Sequence, residues 1–199
     1  MCAMDKNQLT SQDVKNLSKN LQTENKSVVA QKVSAYYNGR TVTPKGLRLA
    51  EDIFRIMVRD VEAKVRQVLA ESLKNTHNLP EDIVQSVIKD TDAVAVPFIK
   101  YYADLNAEDL IKILDIPSIN KQKAVAQRLN LPNEISEYIV ERCPEEVVGV
   151  LISNETANIH EKTYNTIVEK YRQSEDIKKR LVYRTELPTS VIEKIANSL

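Results

Sequence analysis

The sequence predicts an all-α protein, an α-solenoid of about six two-helix repeats. Three observations carry this. Gly is scarce, 3 residues in 199, which leaves little material for the φ > 0 turns of tight β-hairpins. Apolar residues recur at helical spacing: Leu49, Ile53, Ile56 and Met57 in "RLAEDIFRIMVRD" keep the i, i+4, i+7, i+8 stripe. One phrase is written three times, as "NLPEDIVQSVI" from Asn78, "NLPNEISEYIV" from Asn130 and "ELPTSVIEKIA" from Glu186.

Two weaker copies fill the gaps, "DLNAEDLIKIL" from Asp104 and "NIHEKTYNTIV" from Asn158. Pro80, Asn106, Pro132, His160 and Pro188 then stand 26, 26, 28 and 28 residues apart. A fixed short period is the mark of a repeat array. Each period has room for two helices of about 10–12 residues plus turns. Pro44 lies 36 residues before Pro80, so the first unit carries extra residues.

The elements follow in order. Residues 1–24 are polar, with Leu9, Val14, Leu17 and Leu21 at a thin helical spacing; they read as a lead-in, partly disordered or a single helix. Residues 25–199 read as the solenoid domain. Val61, Val65, Val68, Leu69 and Leu73 continue the helical stripe, as do Ile83, Val84, Val87 and Ile88, and then Ile135, Tyr138 and Ile139. Stripes this wide belong to helices lying against helices. Pro44, Pro80, Pro132 and Pro188 are expected in the first helical turn, where a missing N–H costs nothing. Glu81-Asp82 and Glu134 put negative charge at the positive end of the helix dipole. Leu79, Leu131 and Leu187 can fold back on Ile83, Ile135 and Val191 as hydrophobic staples. Asp60, Asp92, Glu145 and Asp176 are expected to open the other helix of each pair.

In "RDVEAKVRQVLAESL", Asp60 stands six residues before Arg66. This resembles the HEAT repeat family, in which an Asp and an Arg at this separation help tie neighbouring units. The longer stretch "LAEDIFRIMVRDVEAKVRQVLAESLKNTHNLPEDIVQSVIKDTDAVAVPFI", with "AVAQRLNLP" and "LVYRTELP" after it, resembles an alphaproteobacterial family of HEAT-like repeat proteins catalogued as a domain of unknown function. The resemblance covers about residues 45–199. It implies a HEAT-like α-solenoid and brings no catalytic residues. The Asp-Arg pair is clear in one unit only, since Val96 stands at the corresponding place after Asp90.

Composition and motifs speak against chemistry. Lys+Arg and Asp+Glu are both 28, so the net charge is +0 and no overall field draws in nucleic acid. His77 and His160 fall in different units near turns, without Cys or His at metal-ligand spacing. HExxH, CxxC, GxGxxG, P-loop and GxSxG patterns are absent. Acid pairs such as Glu108-Asp109 and Glu145-Glu146 sit at helix starts, where dipole and capping account for them. Cys2 and Cys143 make no disulfide framework, and Cys143 reads as a small buried hydrophobe. With no secretory signature and no apolar run near the ~18–20 residues of a membrane span, a cytoplasmic protein is the expectation.

The reading is therefore a non-enzymatic scaffold with no catalytic residue, metal or cofactor, binding a protein or peptide partner. The face of the Leu-Pro helices is expected to bind, with Gln85, Lys89, Lys112, Glu137 and Glu141 pointing outward. The alternative is a nucleic-acid-binding HEAT-like protein, glycosylase-like or non-catalytic, gripping phosphates with Lys121, Lys123, Arg128, Lys178, Lys179 and Arg180. Neutral charge, interleaved Glu134, Glu137 and Glu141, and the lack of Trp argue against it. A homodimer through an end repeat is a third expectation.

Overall fold

The computed structural model describes residues 23–39 and 42–196. The lead-in expected over 1–24 therefore lies almost wholly outside the described residues, as does Cys2. From Thr23 onward the apolar stripes become helices, twelve of them, and no strand occurs among the described residues.

Contacts divide the chain into two units, Met1–Asp104 and Leu105–Leu199. The first holds α1 (Thr23–Tyr37), α2 (Pro44–Met57), α3 (Ala63–Leu73), α4 (Glu81–Lys89) and α5 (Asp92–Tyr101). Here α1 packs on α3 and α3 on α5, with α2 against α1 and α3, and α4 against α5. The second holds α6 (Ala107–Leu114), α7 (Ile119–Ala126), α8 (Asn133–Arg142), α9 (Glu145–Ile152), α10 (Glu161–Lys170), α11 (Glu175–Tyr183) and α12 (Thr189–Ala196). In this unit α6, α8, α10 and α12 pack in one row and α7, α9 and α11 in another, with α6 on α7 and α8 on α9.

Each unit has its own core. Phe54, Leu69, Leu73, Ile83 and Phe98 are fully buried in the first, and Ile113, Ile135, Ile139, Leu151 and Val191 in the second. Burying such a side chain is worth about 1.5–3 kcal/mol. The adjacent tyrosines at 101 and 102 split as helical geometry demands: Tyr102 is 2% exposed and Tyr101 53%. The Tyr102 ring stacks on Phe98 at 4.6 Å, and its hydroxyl accepts from the Leu79 amide at 3.2 Å.

Two of the helix starts differ by one place from expectation. Pro44 opens α2 behind Thr43, whose Oγ1 accepts from the Gly46 amide at 3.1 Å. Pro80 and Pro132 instead stand at the N-cap, with extended ψ of 138° and 148°. The Pro80 carbonyl accepts from the Ile83 and Val84 amides at 3.0 and 3.2 Å, and Pro188 does the same for Val191 and Ile192. The N-cap suits proline because its φ is already right and its missing N–H lies outside the ladder. In the weaker copy, Asn106 caps α6 by exchanging hydrogen bonds with Asp109. Asp60 also sits outside the cap, which is Glu62; its carboxylate accepts from the Glu62 amide at 2.9 Å.

The Asp-Arg tie runs through a different carboxylate. Arg66 donates to the Asp60 main-chain carbonyl at 2.6 Å, but its fork closes on Asp90 at 2.6 and 3.0 Å. The Asp60 carboxylate is taken by Lys26 Nζ at 2.7 Å. The ladder is thus Lys26 to Asp60, then Arg66 to Asp90. Burial alone would raise the Asp90 carboxyl, yet bonds from Arg66 and the Thr91 amide hold it below the ordinary carboxylate value.

Candidate functional site

In the second unit, three loops lead into the helices α8, α10 and α12: residues 127–132, 153–160 and 184–188. The first two are sewn together by main chain. Asn130 adopts φ 51°, a left-handed conformation that Asn tolerates better than most residues. Its amide donates to Thr156 Oγ1 at 3.2 Å. The Asn158 amide donates back to the Leu131 carbonyl at 2.9 Å, and the His160 amide to Asn133 Oδ1 at 2.8 Å. Asn154 closes the joint, its amide nitrogen reaching the Ala126 and Arg128 carbonyls at 2.8 and 2.7 Å. The first unit repeats the device: Asn78, at φ 55°, donates its amide to Asp104 Oδ2 at 2.7 Å.

The second and third loops meet differently. Among the described residues no backbone-to-backbone hydrogen bond joins 155–159 to 185–188. The Asn158 amide is turned back onto Leu131, and Pro188, which stands where His160 stood, has no amide. Side chains make the joint instead. The Glu155 carboxylate accepts from the Thr185 amide at 3.4 Å. Arg184, 8% exposed, donates to the carbonyls of Ile152, Asn154 and Ala157 at 2.7, 2.8 and 2.9 Å. Its guanidinium lies 5.7 Å from the centre of the Tyr164 ring. Burial pushes the Tyr164 hydroxyl above its usual value, and the Arg184 charge opposes this.

A cleft of about 560 Å³ opens between these two loops, lined by Thr156, Asn158, Tyr164, Arg184, Glu186 and Pro188 among others. It is walled mainly by polar groups. The amides of Ile159, Glu186 and Leu187 have no protein acceptor among the described residues. A second hollow of about 530 Å³ shares Arg184, Thr185, Glu186 and Leu187 with the cleft and adds the apolar walls Val182, Ile192, Ile195 and Ala196.

The sequence-derived candidates fall elsewhere. Gln85 is half-buried and donates to Glu81 Oε1 at 2.8 Å, while Lys89 is exposed; both belong to the first unit. In the second unit Lys112 pairs with Glu108 at 2.8 Å, Glu137 pairs with Lys162 at 3.0 Å, and Glu141 is exposed. The six basic residues do not form one exposed set. Lys121 is buried, Arg128 is half-buried with burial lowering its pKa, and Lys123 pairs with Glu146 at 2.7 Å. Lys178 pairs with Glu175 at 3.2 Å, and Arg180 with Asp176 at 2.7 Å and with Ser153 Oγ at 2.8 Å. Lys179 is exposed and has no ion pair among the described residues. Cys143 is buried and its thiol is pushed up to about 11, mainly by burial. No group of three or more His, Cys, Asp or Glu side chains could hold a metal ion among the described residues, and no helix there is long and apolar enough to cross a membrane.

The sequence profile of a bacterial family described as an uncharacterised protein conserved in bacteria, DUF2336, matches residues 94–199. The chain belongs to this family. The match takes in most of α5 and the whole second unit, and so every residue of the cleft and the apolar hollow. The resemblance read from about residue 45 therefore begins later, at 94. No curated protein and no solved structure matches this DUF2336 member.

Proposed function

We propose that the chain is a non-enzymatic scaffold, a HEAT-like α-solenoid, that binds a protein partner by taking an extended segment of it into the cleft between residues 155–159 and 184–188. The observation that carries this is the set of unspent amides at Ile159, Glu186 and Leu187 on both walls of a cleft of about 560 Å³. One repeat earlier the equivalent place on the 127–132 loop holds an extended stretch, Asn158 to His160, bonded through its amides. A partner segment would bind in the same manner, with main-chain bonds giving affinity and Glu155 and Glu186 at the rim selecting charge. The carboxylates at helix starts serve the helices they open, as Asp109 does in its capping box, which favours binding over acid–base chemistry.

A displayed library of random peptides selected on the full chain tests this. Thr185→Trp places a large ring at the cleft mouth without touching any side-chain hydrogen bond of Thr185. Selected peptides are expected to lose at least about tenfold in affinity for this variant, the equivalent of ~1.4 kcal/mol. Peptides that bind it unchanged, and weaken instead on charge reversal at Glu137 and Glu141, would move the site to the helix face.

A further inference from the structure

The apolar hollow beside the 184–188 loop carries a separate inference. Val182, Tyr183 and Ile192 are 61%, 75% and 52% exposed, three large apolar side chains within eleven positions. Lys179, Val182 and Tyr183 share one face of α11 by their i, i+3, i+4 spacing, so this helix presents an apolar ridge with a cation at one end. Val182 also forms a wall of the hollow, whose other walls are Leu187, Ile192, Ile195 and Ala196. Ridge and hollow therefore share a residue. That is the geometry of a self-complementary patch, because a two-fold axis near Val182 sets each ridge into the hollow of the other copy. Charge fits the same operation. Glu186 lines the hollow, is exposed, and has no ion pair among the described residues; Lys179, at the ridge, also has none.

We propose that α11 and α12 form the interface of a homodimer, in which Val182 and Tyr183 of each copy enter the hollow of the other and Lys179 faces Glu186 of the partner subunit. The hollow shares Arg184, Thr185, Glu186 and Leu187 with the peptide cleft, so the two readings are told apart by readout, oligomeric state for this one and peptide affinity for the other. The test is sedimentation velocity of the full chain over a range of concentrations. The wild type is expected to dimerise in a concentration-dependent way, and Ile192→Asp to sediment as a monomer with an unchanged helical circular dichroism spectrum. Lys179→Glu and Glu186→Lys are each expected to weaken the dimer by about tenfold or more, as close charge pairs at interfaces do. The double variant is expected to restore it. These two positions are exposed, so this arm stays readable even if an apolar variant misfolds. A monomer at every concentration, a dimer indifferent to Ile192→Asp, or a double variant as weak as the singles would overturn the proposal.

Discussion

The joint between the 127–132 and 153–160 loops and the joint between the 153–160 and 184–188 loops are written with similar residues and closed by different means. The first uses main-chain amides of Asn130, Asn158 and His160, with Asn154 as a short clamp. The second uses one long cation, Arg184, with a longer bond from the Thr185 amide to the Glu155 carboxylate, and leaves a cleft. Neighbouring loops over one helical core are thus joined by different means. The first joint spends its amides on the neighbouring loop, whereas the second leaves those of Ile159, Glu186 and Leu187 unspent.

The strongest way to break the comparison is to remove each clamp. Arg184→Ala leaves three carbonyls without a donor in a buried place and is expected to cost about 3 kcal/mol, several times a single neutral hydrogen bond. Asn154→Ala loses two bonds to the Ala126 and Arg128 carbonyls and two local ones from Thr156 at a half-buried site, and is expected to cost about 1–2 kcal/mol. Urea denaturation reads both, and an Arg184 variant less damaging than the Asn154 variant would show that the long clamp does not hold the second joint.

A subtler contrast lies in the backbone. Asn130→Ala puts a β-carbon into the left-handed region and is expected to cost about 1 kcal/mol, while Asn130→Gly stays within a few tenths. Glu186 is not in that region, so Glu186→Gly is expected to bring no relief and a small entropic loss. Thermal melts of the three variants compare them directly.

Acid titration extends the contrast to the first unit. The Asn78 amide, and then His77, hold the Asp104 carboxyl below its usual value. A carboxyl depressed in the folded state contributes stability above its unfolded pKa, about pH 4. That contribution is lost as pH falls through the lower folded value. Urea midpoints measured from neutral to strongly acid pH are expected to fall less steeply below about pH 4 in Asp104→Asn than in the wild type. The smallest effect is local: amide exchange is expected to be slow at Asn130 and Asn158 and fast at Glu186 and Leu187.

Much of the architecture was legible because it follows from periodicity. Leu79 and Leu131 are buried beside fully buried Ile83 and Ile135, as the staple reading requires. Pro44 stands in the first turn as the spacing predicts, whereas Pro80 and Pro132 sit one place earlier, at the N-cap, since sequence spacing cannot separate the two positions. The cleft was not legible. One difference between the joints, Pro188 standing where His160 stood, is visible in the alignment of copies, but it matters only once two loops lie close enough for an amide to be missed. Arg184 carried a partial signal, three residues before Leu187 as Arg128 is before Leu131, yet Arg128 is only half-buried. Lys121 misled for another reason: its long apolar stem lets it lie on the packed side of α7, where a count of charges sees only a surface cation.

Amide hydrogen exchange of the full chain, with and without a peptide selected from the displayed library, tests the central claim most directly. The cleft reading expects new protection at Ile159, Glu186 and Leu187 and none on α8 or α10. Saturating peptide that leaves those three amides exchanging freely, while protecting the helices that carry Glu137, Glu141 and Lys162, would contradict it.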